Sequence, residues 1–345
     1  MTVTCAHLVG SIPFDNAETV FSEVCSVLGD NLKRLPDGET GERLRWIFWQ
    51  RGKIADHPTM EIDNDVGQAQ IHQWDGTLIR EWDLYRFKPG TDLSTVEFDP
   101  GYARDAIESY AVFKAKQADG TIPSGVKFQV CLPTPMAIGY WFVSPAARGD
   151  FFPVYERAIS REVAEISAAI PKDDLAIQWD VCQEVLVWED YFPSRPATYK
   201  EDILNMLARL GDAVPEPVEL GYHLCFGTPN DEHLVMPKDM GTAVDMANGV
   251  FSKVSRSVQF LHVPVPRERD DEAFFAPLTG LQSPAGCELY IGLIHAGDRD
   301  GDARRIAAAS TYVDNFGIAT ECGWGRGDPE RVPGLLESHR IAASS

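Results

Sequence analysis

Eight short apolar runs, most of them followed by a helical stripe, constrain this chain more than any other feature. They fall at 3–9, 32–35, 126–131, 175–179, 218–222, 258–261, 288–294 and 318–320. Continuous apolar stretches of this length suit strands of a parallel sheet that is covered on both faces. Helical patterns intervene at 16–28, where Val20, Phe21, Val24, Val27 and Leu28 form one stripe, and at 41–52, 102–118, 153–170, 199–210, 240–254 and 302–316. Eight strands alternating with helices are the count of an α/β (β/α)8 TIM barrel, and 345 residues is a length such barrels reach as one domain. The whole chain, 1–345, is therefore expected to form a single barrel.

One segment departs from this rhythm. Residues 54–100 alternate polar and apolar, at 68–74 and 77–87 around Asp75-Gly76, a dipeptide that favours a hairpin turn. The spacing predicts an antiparallel hairpin insertion after the second strand/helix unit, lying over one end of the barrel. Its Trp74, Trp82 and Tyr85 either line a pocket or pack.

Charge narrows the partners. The net charge is −21, with no dense basic cluster, which argues against nucleic acid and anionic membrane surfaces. No run approaches eighteen apolar residues, so no membrane span is expected. Seven scattered cysteines, an odd number, and a start without a basic, apolar leader point to a reducing, cytoplasmic setting.

The residues with chemistry cluster at the ends of the apolar runs, where barrels of this class carry their sites. His223 and Cys225 are two apart at a strand end, so they point to one side and can grip one ion together. Cys322 ends the last strand and would add a second sulfur. An N/S donor set suits zinc, although any single His or Cys taken alone is more often a satisfied core residue than a ligand. The acidic loop 297–302 lacks the ligand spacing of a calcium loop. The glycine-rich 323–327 lacks the Lys-Ser/Thr of a phosphate loop and leaves at most a backbone anion site beside Arg326. With no Gly-x-Ser-x-Gly elbow, a serine hydrolase is not expected.

As a set, these strand ends resemble the catalytic C-terminal barrel of cobalamin-independent methionine synthase and its relatives, including the zinc-dependent epoxyalkane:coenzyme M transferases. Val9-Gly10-Ser11-Ile12-Pro13 is similar to that family's Ile-Gly-Ser-Phe-Pro, and Asp37-Gly38-Glu39 with Arg43 to its His-Gly-Glu segment. Ile177-Gln178-Trp179-Asp180 resembles its Gln-Ile-Asp-Glu-Pro strand end, with Val181-Cys182 in place of Glu-Pro. His223-Leu224-Cys225 and Cys322-Gly323 match its zinc residues. The insertion has no counterpart.

The resemblance implies roles. His223, Cys225 and Cys322 would hold Zn2+, and His262 stands where the family has its ligating glutamate, as fourth ligand or as a residue behind the site. His295 matches the general acid, or else caps a helix or touches substrate. Ser11, Glu39 and Asp180 match the residues that hold the amino-acid thiol, although either carboxylate could instead cap a helix. The implied function is a zinc-dependent methyl- or alkyltransferase in which a zinc-bound thiolate of a homocysteine-like acceptor is the nucleophile. The synthase's second barrel has no room here, so the methyl or alkyl donor is expected to be small or handed over by a partner protein. The alternatives are epoxide–thiol addition, C–S cleavage, a metal-independent decarboxylase-like barrel, or a non-catalytic zinc- or thiol-binding barrel.

Overall fold

The structure, a computed structural model, describes residues 2–193, 195–229 and 232–343. In chain order its strands are β1 (Thr2–Ala6), β2 (Arg34–Pro36), β3 (Met60–Ile62), β4 (Ala69–His72), β5 (Leu78–Trp82), β6 (Tyr85–Phe87), β7 (Lys127–Pro133), β8 (Leu175–Val181), β9 (Glu219–Leu224), β10 (Phe260–Pro264), β11 (Glu288–Ile294) and β12 (Asn315–Thr320). The helices are α1 (Ala17–Leu28), α2 (Gln50–Ala55), α3 (Tyr102–Ala118), α4 (Pro135–Phe142), α5 (Arg148–Ala169), α6 (Gln183–Trp188), α7 (Tyr199–Asp212), α8 (Gly241–Lys253), α9 (Glu272–Phe275), α10 (Arg299–Ala309) and α11 (Val332–Ala343). None of them is long and apolar enough to cross a membrane.

Eight strands form one parallel sheet in the order β1-β12-β11-β10-β9-β8-β7-β2. An isolated parallel bridge joins Ala6, at the end of β1, to Leu32, just before β2, so the sheet curls back on itself. The result is an α/β fold with a curled eight-stranded parallel sheet, consistent with a TIM-like barrel. All seven residues of β8 and all five of β10 are buried, which is why these segments read as apolar runs without alternation. Outside, α1 starts where the Asn16 side chain accepts from the Thr19 amide at 2.9 Å and buries Val20, Phe21, Val24 and Leu28. The helix expected over 302–316 stops at Ala309, because the chain must turn before β12 begins at Asn315.

The bottom of the barrel is closed by an ion network. Arg34 is buried there, pairs with Glu219 at 2.6 Å and Glu288 at 2.8 Å, and stacks its guanidinium 4.2 Å from the Phe260 ring centroid. The opposite end, where the strands finish, is left for the cavity.

The region after α2 contains two antiparallel pairs, β3 with β6 and β4 with β5. The β4–β5 turn runs through Asp75-Gly76, with Gly76 at φ +86, a conformation open to glycine. Tyr191 clamps this hairpin, its hydroxyl donating to the His72 carbonyl at 2.9 Å. Trp82 and Tyr85 are buried in packing and Trp74 is exposed, so none of the three lines the cavity. Ile71, Ile79 and Arg80 do so instead.

Candidate metal centre and its cavity

Parallel register brings the polar strand ends into one layer. Asp180 on β8 is the in-register neighbour of His223 on β9, which is in turn the neighbour of His262 on β10. Cys225 follows β9 and Cys322 follows β12. Ligand atoms of His223, Cys225 and Cys322 all lie within 4.8 Å of one another. The two sulfurs are 3.7 Å apart, and Cys322 Sγ is 3.7 Å from His223 Nε2. Both cysteines are free thiols. One imidazole nitrogen and two sulfurs converging from non-neighbouring strands fit a zinc ion better than an oxygen-seeking one.

His262 lies behind His223, not in the cluster. Its Nε2 is 3.0 Å from the Thr320 carbonyl, which can only accept, so Nε2 carries a proton. Burial and the neighbouring His223 and His7 hold His262 well below the ordinary imidazole pKa, so the ring is neutral and its Nδ1 is an acceptor. His223 Nδ1, 2.6 Å away, therefore donates to it, and His223 Nε2 is the nitrogen directed at the cysteines. Of the two readings of His262, fourth ligand or residue behind the site, this geometry fits the second: both of its ring nitrogens already have partners.

The sulfurs differ in environment. Cys322 Sγ accepts from the Cys225 thiol and from Arg326 at 2.8 Å, and its pKa lies well below that of an ordinary thiol, through the Cys225 hydrogen bond first, with Arg326 and His223 overcoming burial. Cys225 is pushed up, by contact with Cys182 first and then with Cys322. Arg326 thus faces a sulfur, not an open anion site.

Two carboxylates share the floor. Asp180 accepts from Gln178 at 2.9 Å and the Trp46 indole at 3.1 Å; burial raises its pKa to about 6 against the pull of His223. Glu39 is raised well above the usual range by burial and by Asp180. Asp37 behaves oppositely: burial would raise it, but Arg43, 2.6 Å away, holds it low. Glu39 at φ 47 and Trp46 at φ 56 are non-glycine residues in left-handed backbone, a cost that sites tolerate when surrounding contacts fix it. Trp46 also breaks the helix expected over 41–52 into a 3-10 turn at Gly41–Arg45 and the short α2.

These groups open into a cavity of about 410 Å³ that also takes in Ser11, Cys182, Gln183 and Arg45. Ser11 is buried against the 323–325 loop, its carbonyl accepting from Trp324 N at 2.6 Å. His295 is not among the lining residues; its Nε2–H donates to the Val265 carbonyl at 3.0 Å, and burial lowers its pKa to about 4. Sequence reasoning brought together Ser11, Glu39, Asp180, His223, Cys225 and Cys322. It missed Trp46, Gln183 and the insertion's Arg80, for which the only signals were the Trp- and Arg-rich segment after Glu39 and the strand end at Asp180.

No protein-family model matches the chain, nor does any curated protein. In fold it is similar to the putative vitamin-B12-independent methionine synthase of Listeria monocytogenes, at TM-score 0.58 and 15% identity over 100% of this chain and 98% of that one. A B12-independent methionine synthase from Shewanella sp. W3-18-1, solved in complex with selenomethionine, is similar at TM-score 0.59 and 15% identity over 99% of this chain and 97% of that one. At 15% identity the likeness is one of fold.

Proposed function

We propose that this chain is a zinc-dependent transferase that moves a methyl or alkyl group to the sulfur of a small, amino-acid-like thiol. The observation that carries this reading is the convergence of His223 Nε2 with the sulfurs of Cys225 and Cys322 at the floor of a cavity that also holds Glu39 and Asp180. Three protein donors leave one position free, and a zinc ion held there would lower the pKa of a thiol that takes it. The names of the similar structures point the same way, toward methyl transfer to a thiol.

The chain's own residues divide the remaining work. His262, fixed by Thr320, holds His223 in the tautomer that presents Nε2. Glu39 and Asp180, two buried carboxyl groups on the same floor, favour an ammonium group on the acceptor. Ser11 lies in the same floor as a further polar contact. In the transfer, the acceptor sulfur's electron pair forms the new C–S bond. The bond from that carbon to the leaving group breaks with its pair going to the leaving group, and the thiol's proton balances it. We do not assign that proton to His295, whose Nε2–H is committed to a carbonyl outside the cavity lining.

The test is elemental analysis of the purified protein, followed by assay of thiol consumption with homocysteine and a panel of methyl and alkyl donors. About one zinc per chain is expected in wild type, lost in Cys225→Ser and Cys322→Ser. His262→Ala should still bind zinc, about 10–100-fold more weakly, as removal of a ligand's hydrogen-bond partner typically does. A wild-type protein that takes up no zinc even when it is supplied would overturn the proposal.

A further inference from the structure

The floor of the cavity is acidic and sulfur-rich, whereas its outer wall is cationic and apolar. Arg45, from the Gly41–Arg45 turn, and Arg80, from β5 of the insertion, both line it and both are exposed. The Arg80 guanidinium lies 5.0 Å from the Phe48 ring centroid, which holds it at the opening. Among the described residues neither arginine has a hydrogen bond or ion pair through its guanidinium. Acidic side chains outnumber basic ones by 52 to 31, and Arg34, Arg43, Arg86 and Arg305 each pair with carboxylates. Two that stay unpaired at one opening form a positive rim on an otherwise negative molecule.

A second observation is independent of charge. Gln183 lines the same cavity and is fully buried, yet neither its Oε1 nor its Nε2 has a partner among the described residues. Buried amides are paired in the great majority of proteins, so an orphaned one at a cavity wall points to a ligand that completes it. The same cavity also has an apolar lining, from Phe48, Ile71, Ile79 and Trp141.

Resting on the thiol reading of the floor, we propose that the second substrate, the group donor, is an amphipathic organic anion. Its carboxylate or sulfonate meets Arg45 and Arg80, its apolar body packs on the wall, and a polar atom of that body pairs with Gln183. With the two arginines at the opening and the carboxyl groups of Glu39 and Asp180 at the floor, the anion lies outward and the reacting carbon inward. Guanidinium forks suit either anion, since both present paired oxygens.

The experiment is calorimetric titration of the purified protein with 4-phenylbutyrate, 3-phenylpropane-1-sulfonate and the neutral 4-phenyl-1-butanol. Both anions should bind about tenfold or more tightly than the alcohol, with the gap shrinking as salt is raised. Arg45→Gln/Arg80→Gln should abolish the gap and leave alcohol binding unchanged. Arg80→Gln alone should reduce it in part; both side chains are exposed, so folding is not at stake. Equal binding of anion and alcohol by wild type, or a preference that survives in the double variant, overturns the proposal. Running the series also in Cys322→Ser separates the two readings. Zinc uptake without an arginine-dependent preference sinks this inference alone, whereas an arginine-dependent preference in a protein that never binds zinc sinks the thiol reading and keeps the anion site.

Discussion

Glu184 sits fully buried on α6, with the Thr134 hydroxyl donating to its Oε1 and no partner on Oε2 among the described residues. Burial raises its pKa to about 7. A carboxyl raised in the folded state binds more protons there than when unfolded, so its contribution is fully present below about pH 4.5 and is lost as pH rises through 7. Glutamine imitates the protonated form. Glu184→Gln should therefore stabilise the protein by about 2–3 kcal/mol more at pH 8 than at pH 5, from a shift of roughly two and a half units. Urea titrations at the two pH values measure this; an equal effect at both would mean that the carboxyl is not held protonated. The same scale shows what the sequence displayed and what it hid. His223 and Cys225 were legible because an i, i+2 pair at a strand end must share a side. The role of His262 was hidden, because strand position says nothing of which ring nitrogen meets which neighbour. Trp46 was hidden for a different reason: its left-handed backbone is one that no pattern of side chains announces.

At the scale of elements, the strands were legible from burial alone, and 288–294 and 102–118 coincide with β11 and α3. The boundaries failed where chemistry interrupts the pattern, at Trp46 in the expected helix 41–52 and beyond Ala309 in α10. How tightly β11 meets the strand that delivers Cys322 could not be read. A Cβ on Gly292 would stand 2.8 Å from the Glu321 Cα and 2.9 Å from the Thr320 carbonyl oxygen, both backbone atoms that cannot swing away. Gly292→Ala should thus force β12 outward at the residue before Cys322 and cost about 1–3 kcal/mol, the usual range for overpacking. Because Thr320 also anchors His262, the variant should bind zinc more weakly than its loss of stability explains. Zinc titration of the folded variant checks this, and wild-type affinity would show that the cluster does not depend on this strand contact.

At the scale of the molecule, the question is whether the segment over the cavity and the curled sheet beneath it behave as one body. We propose that 1–345 is a single cooperative domain with 54–100 as an insertion in it. The support lies in how the two share a core. The Trp82 indole, from the insertion, donates to the Trp141 carbonyl and packs edge-on against Phe48 at 5.3 Å and Trp141 at 5.7 Å. The Tyr85 carbonyl accepts from Ser144 N at 2.9 Å, just past α4. Because Trp141 and Phe48 also wall the cavity, the contact that anchors the insertion shapes the site. Trp82→Ala should lower global stability by about 3–5 kcal/mol, the cost of emptying a buried tryptophan site. Trp82→Phe keeps the ring packing and loses the indole donor, so it should cost about 1–3 kcal/mol for the carbonyl left unpaired. Unfolding followed by intrinsic fluorescence and by far-ultraviolet circular dichroism should give coincident transitions in wild type and in both variants. If Trp82→Ala instead released an early transition and left the main one in place, the insertion would be a separate unit resting on the sheet. The rim arginine it carries would then be positioned by a body that can leave the cavity without unfolding the rest.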